Sequence, residues 1–152
     1  MTVKLPLDPR TLLQTPTSSN QTEGMGQGKY FYFGIQKTIQ NICGKLCIKL
    51  NHNDFLDIAV NIDEVPLFKS SNESFWPILC MIKSIDMLKS EVFCVALYEG
   101  VGKPDCTKFL KLFVKEASDL ATNGIVIDPI SCTFKSSMLI CDEPAKSNIL
   151  KN

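Results

Sequence analysis

The 152-residue chain is 45% hydrophobic and 21% charged, which fits one globular domain and excludes a disordered chain. Sixteen basic residues balance sixteen acidic ones, so no net field draws the whole protein to nucleic acid. No apolar run approaches the ~20 residues of a bilayer span, which argues against a membrane partner.

The chain opens without a signal-peptide pattern. Its seven cysteines, at 43, 47, 80, 94, 106, 132 and 141, are odd in number and lie mostly in apolar runs. They read as buried or partly buried thiols of a reducing compartment, nuclear or cytoplasmic. Charge is uneven along the chain. Up to residue 53 there are six basic residues against two acidic, and beyond it ten against fourteen. A basic arm before an acidic body is a weak pointer to DNA.

Residues 1–50 read as an irregular N-terminal arm carrying one short helix. The first 29 are studded with Pro, Ser, Thr, Asn and Gly and keep no period. From Tyr30 to about Leu50, apolar residues at Phe31, Ile35, Ile39, Ile42 and Leu46 follow the steps of three and four of a helix face. Cys43 and Cys47 have a spacing that can begin a zinc site. The sole histidine, His52, brings the set to only three, so no zinc is expected.

In "FLDIAVNIDEVPLF", Ile58, Val60 and Ile62 alternate with Asp57, Ala59, Asn61 and Asp63, the period of a strand. "FWPILCMIKSI" (75–85) and "SEVFCVALYEG" (90–100) read as two more strands, the second buried on both faces. "DCTKFLKLFVKEASDLATNG" is the clearest helix, capped by Asp105 and stopped at Asn123-Gly124. "CTFKSSMLICD" is the last strand, and Pro144 then suits the first turn of a helix. The order predicts an α/β fold with a mixed sheet. An antiparallel three-strand meander is followed by a helical crossover, and the fourth strand lies parallel to the first.

Two of these strands end on an acid, Asp63 and Asp142. Neighbouring strands lie ~4.8 Å apart, so side chains at adjacent strand ends can share a divalent cation, Mg²⁺ or Mn²⁺. Such a site orients a water or 3′-hydroxyl for attack on phosphorus. The bland alternative is turn chemistry at Asp63, with Asp142 as a helix cap.

"VNIDEVPLFKSSNESFWPIL" (60–79) and "LICDEPAKSNIL" (139–150) resemble the core of transposon-encoded animal proteins related to the CACTA/EnSpm-type transposases. "LPLDPRTLLQTP" (5–16) and "GKYFYFGIQKTI" (28–39) resemble the same family's lead-in. The resemblance implies that residues 51–152 are the N-terminal part of an RNase H-like catalytic domain for DNA strand cleavage and transfer. Asp63 and Asp142 would be the first two of three metal-binding acids. It also implies DNA as a partner, and a homo-oligomer or full-length transposase as a possible one. Where the family has a small residue after each Asp, this chain has Glu64 and Glu143. The family's Cys-rich stretch and third acid do not occur in these 152 residues, so the expectation is no cleavage by this chain alone.

Lys69, Ser70 and Ser71 follow Asp63 closely enough to contact a phosphate, although a polar loop joining two strands is the more frequent explanation of such a run. Phe75 and Trp76 read as core rather than as base-stacking residues. "GVGKPDCTKF" lacks phosphate-loop spacing, and Lys108, Lys111 and Lys115 read as a solvated helix face. The alternative reading is a non-catalytic domesticated fragment that binds DNA or protein through an unfinished sheet. A mobile-element remnant without selected function is a third.

Overall fold

The computed structural model describes residues 22–25, 28–67, 69–127 and 129–141. Among them are eight strands, β1 (Thr22–Met25), β2 (Gly28–Tyr32), β3 (Phe55–Ile62), β4 (Val65–Pro66), β5 (Glu73–Ile82), β6 (Val92–Val101), β7 (Ile125–Ile127) and β8 (Ile130–Cys141). Two α-helices, α1 (Ile35–Lys45) and α2 (Cys106–Asn123), accompany them. The strands form one mixed sheet in the order β1-β2-β6-β5-β3-β8-β7, and β4 pairs with the start of β5.

The meander is β3, β5 and β6, antiparallel throughout. α2 carries the chain back across the sheet, and β8 lies parallel to β3 beside it. This is the α/β mixed sheet expected from the alternation of residues 55–62 and the helix that Asp105 begins. Asp105 accepts the Lys108 N–H at 3.1 Å, and Gly124, at φ 83°, ends the helix.

Period two decides which side chains meet the helices. Leu56, Ile58, Val60 and Ile62 of β3 and Trp76, Ile78, Cys80 and Ile82 of β5 are each at most 3% exposed. They share one core with Ile35, Ile39 and Cys43 of α1 and Phe109, Phe113 and Leu120 of α2. Burying each such large apolar side chain contributes roughly 1.5–3 kcal/mol before ordering entropy is subtracted. Phe75 is buried as well, on the opposite face of the sheet from Trp76 and opposite Val65 of β4.

Besides β1, which falls among residues that read as irregular, two parts of the sequence reading are corrected. The helix starts at Ile35 rather than Tyr30, because residues 28–32 form β2 against β6. Its aromatic run fits both periods, and pairing settles the choice. Tyr30 lies opposite Tyr98, and its hydroxyl donates to the Phe109 carbonyl at 3.0 Å. The Tyr98 ring passes over Gly28 and Gly100 so closely that a Cβ there would come within 2.5 and 2.7 Å of it. The second correction is β7, a three-residue strand too short to show a period. Residues 28–50 thus share a core with residues 51–141. The helix expected after Pro144 lies outside the described residues.

α1 begins without a capping side chain of its own. Glu116, from the middle of α2, accepts the N–H groups of Ile35 at 2.8 Å and Gln36 at 3.1 Å, and the Tyr32 hydroxyl donates to it as well. One carboxylate therefore satisfies two orphan donors and meets the positive end of the helix dipole. Burial, and then the hydrogen bond to Glu116, holds the Tyr32 phenol well above its ordinary 10.0, so it remains a donor. Glu116→Ala is expected to destabilise the fold by about 2 kcal/mol. Urea unfolding followed through Trp76 fluorescence measures this, and an unchanged midpoint would show that solvent caps α1 equally well.

Candidate functional site

Both helices pack on one face of the sheet, and the residues of β3 that alternate away from them are Asp57, Ala59 and Asn61. Asp63 follows one residue after β3 ends and is partly exposed. It lines a cavity of about 260 Å³ together with Ala59, Asn61, Pro77, Leu79 and Ile140, among others. Asp63 and Asn61 supply the side-chain oxygens on this wall, and the rest of it is mainly apolar.

The other expected ligand, Asp142, lies outside the described residues. What is described is the pairing that leads to it. Ile62 lies opposite Cys141, so the last residues of β3 and β8 are level. Lys69 and Ser70 are exposed in the turn before β5, and with Ser71 they stand apart from the residues lining the cavity. The Ser71 hydroxyl is buried and has no hydrogen-bond partner among the described residues. Glu64 accepts a hydrogen bond from the Ser74 hydroxyl at 2.7 Å, which fastens its side chain to β5.

The cysteine spacing has a structural origin. Cys43 faces the core, while Cys47 is exposed at φ 52°, where α1 ends. The Ile48 N–H returns to the Cys43 carbonyl at 2.9 Å, closing the helix terminus. His52 is exposed. Among the described residues no three His, Cys, Asp or Glu side chains gather as a metal-ligand set, and six cysteines are free thiols. Burial pushes the Cys94 thiol up to about 12 and Cys80 higher still, so neither offers a thiolate near neutral pH. No described helix is long and apolar enough to cross a membrane.

The sequence reading missed one group of residues, centred on Asp57. Asp57 is 8% exposed, and its carboxylate accepts the Ser137 N–H at 3.2 Å and the Ser137 hydroxyl at 2.7 Å. Lys83 lies 3.5 Å away and Lys135 3.9 Å, and Lys83 also donates to the Ser137 hydroxyl at 2.9 Å. In the sequence Asp57 looks like a solvated residue of an alternating strand. Its two lysines are Lys135, directly opposite on β8, and Lys83, the residue after β5 ends. Ser137 is the residue skipped in the pairing, since Ile58 lies opposite Ser136 and Ala59 opposite Met138. The carboxylate thus holds a β-bulge.

Comparison with known proteins adds no relative, since no family model, curated protein or solved structure matches the chain.

Burial alone would raise the Asp57 pKa, but the Ser137 hydrogen bond and the two lysines outweigh it and hold the carboxyl below its ordinary 3.8. A depressed acid adds stability that is complete above the unfolded value and is lost as pH falls through the folded one. Asp57→Asn is therefore expected to cost about 2 kcal/mol at neutral pH. It should also flatten the loss of wild-type stability as pH drops from about 4 downward. Urea unfolding at a series of pH values checks both, and parallel wild-type and variant profiles would refute the assignment.

Proposed function

We propose that this chain carries the first part of a DDE-type transposase catalytic domain with an RNase H-like fold, acting on DNA by metal-dependent phosphoryl transfer. The observation that carries the reading is the parallel β3–β8 pair ending level at Ile62 and Cys141. Were this register to continue by one residue, Asp63 and Asp142 would stand at neighbouring strand ends, ~4.8 Å apart along the sheet. The motif resemblance supports the same two acids from independent grounds.

The donor set suits a hard cation. Asp63 is an oxygen ligand on an open cavity, and Asn61 adds an amide oxygen on the same wall. Asp63 and Asp142 are the residues that would hold Mg²⁺ or Mn²⁺. When bound, the ion supplies Lewis-acid activation of the attacking oxygen and charge stabilisation at phosphorus. Ala59, Pro77, Leu79 and Ile140 give the same cavity an apolar wall. Lys69, Ser70 and Ser71, in the turn after Asp63, are the groups available for backbone phosphates. Of the three, Lys69 and Ser70 are exposed, whereas the Ser71 hydroxyl is buried.

Manganese titration of the 152-residue chain tests this reading. Millimolar Mn²⁺ is expected to raise the thermal midpoint of the wild type by a few degrees and to leave Asp63→Asn and Asp142→Asn unmoved. Equal shifts in all three proteins would refute a shared site. Supercoiled plasmid is expected to stay intact with this chain alone, because two carboxylates without a third under-coordinate a metal pair. Mn²⁺-dependent nicking that Asp63→Asn abolishes would overturn that expectation.

A further inference from the structure

β7 covers only Ile130–Cys132 of β8, and among the described residues no strand pairs with the same edge from residue 133 to residue 141. Edges of this kind are ordinarily blunted by charge, proline or a bulge. Here the bulge falls at Ser137, and pairing from Met138 to Cys141 is regular again. The one charge on the stretch, Lys135, is turned to Asp57 on the neighbouring strand. What the edge then presents is Met138, Leu139 and Ile140, which are 44%, 54% and 51% exposed. Leu139 is the telling residue. It lies opposite Val60, which is 1% exposed on the helix-covered face, yet is itself half open to solvent.

We propose that this edge pairs antiparallel with β8 of a second copy of the chain, about a two-fold axis at Leu139. Such an interface is isologous, so one strand must complement itself, and this one does. Leu139 meets the partner's Leu139 on the helix-covered side of the joined sheet. Met138 and Ile140, which share the opposite side, meet the partner's Ile140 and Met138. The order of charges along the sequence favours the same direction. Lys135 precedes the apolar triplet and Asp142-Glu143 follow it, so antiparallel pairing sets the basic end of one copy against the acidic end of the other. Parallel pairing would set like against like. The balanced charge of the chain, sixteen against sixteen, imposes no long-range repulsion between copies.

Sedimentation equilibrium over roughly 1–100 µM tests the pairing, with a monomer–dimer equilibrium expected in that range. Leu139→Lys, at an exposed position, and Glu143→Lys are each expected to weaken it by about tenfold or more, with Trp76 emission unchanged. Leu139→Cys in a Cys47→Ser, Cys141→Ser background is expected to give a covalent dimer on mild oxidation, because the two-fold axis brings the new thiol to its own mate. A wild type that stays monomeric throughout would overturn the proposal, as would a dimer indifferent to both lysine variants. A monomer whose amides from 133 to 141 exchange slowly would also overturn it, showing that a flanking segment of the same chain covers the edge.

Discussion

The Asp57 carboxylate fixes the alignment on which everything at the far end of β3 and β8 depends. It draws in the backbone and side chain of Ser137, so that β8 advances one residue relative to β3 between the Ile58 and Ala59 pairs. Without that step the register before the bulge would continue, and Ile62 would lie opposite Ile140 instead of Cys141. Because strand faces alternate, the slip would also turn Met138 and Ile140 toward the helices and Leu139 away from them. The residue after β3 would then be level with Cys141 rather than with the position that follows it. One buried acid six positions before Asp63 therefore sets which residue of β8 lies level with the end of β3.

A second carboxylate does comparable service for the helix layer. Glu116 ties α2 to the first turn of α1 and to the end of β2 through Tyr32. The two helices thereby meet the sheet as a unit, and Ile35 and Ile39 are held over it with no exposure. Both acids act at places where an apolar pattern cannot specify geometry, a strand register and a helix start. Each does so by satisfying backbone N–H groups that would otherwise be orphaned.

The meander, the capped helix and the parallel return of the last strand were legible because each is written in a run long enough to show its period. Ile58-Val60-Ile62, Phe109-Phe113-Leu120 and the Asp105 cap are local signals. β2 was not legible, since Phe31 and Ile35 satisfy a helical step while Tyr30 and Tyr32 satisfy a strand, and only pairing with β6 separates the two. The bulge at Ser137 and the Glu116 cap are non-local as well, with partners about 80 residues away. Asp63 was legible as a strand-end acid. The apolar wall around it was not, because Ala59, Pro77 and Ile140 come from three strands whose adjacency is a property of the sheet.

The proposed metal site and the proposed dimer edge draw on the same few residues without competing for the same atoms. Edge pairing uses the outward N–H and C=O groups of β8 and the side chains of Met138, Leu139 and Ile140. Metal binding, as proposed, would use the side chain of the acid that follows. Ile140 belongs to both, as a wall of the cavity and as a member of the apolar triplet. Pairing that orders the last turn of β8 would also order the residue after it, and a carboxylate already held in place loses less entropy on taking up a cation. Such coupling would be reciprocal, since an ion held better in the paired state would tighten the pairing by the same factor. A single tie at Asp57, upstream of both, sets the register for each.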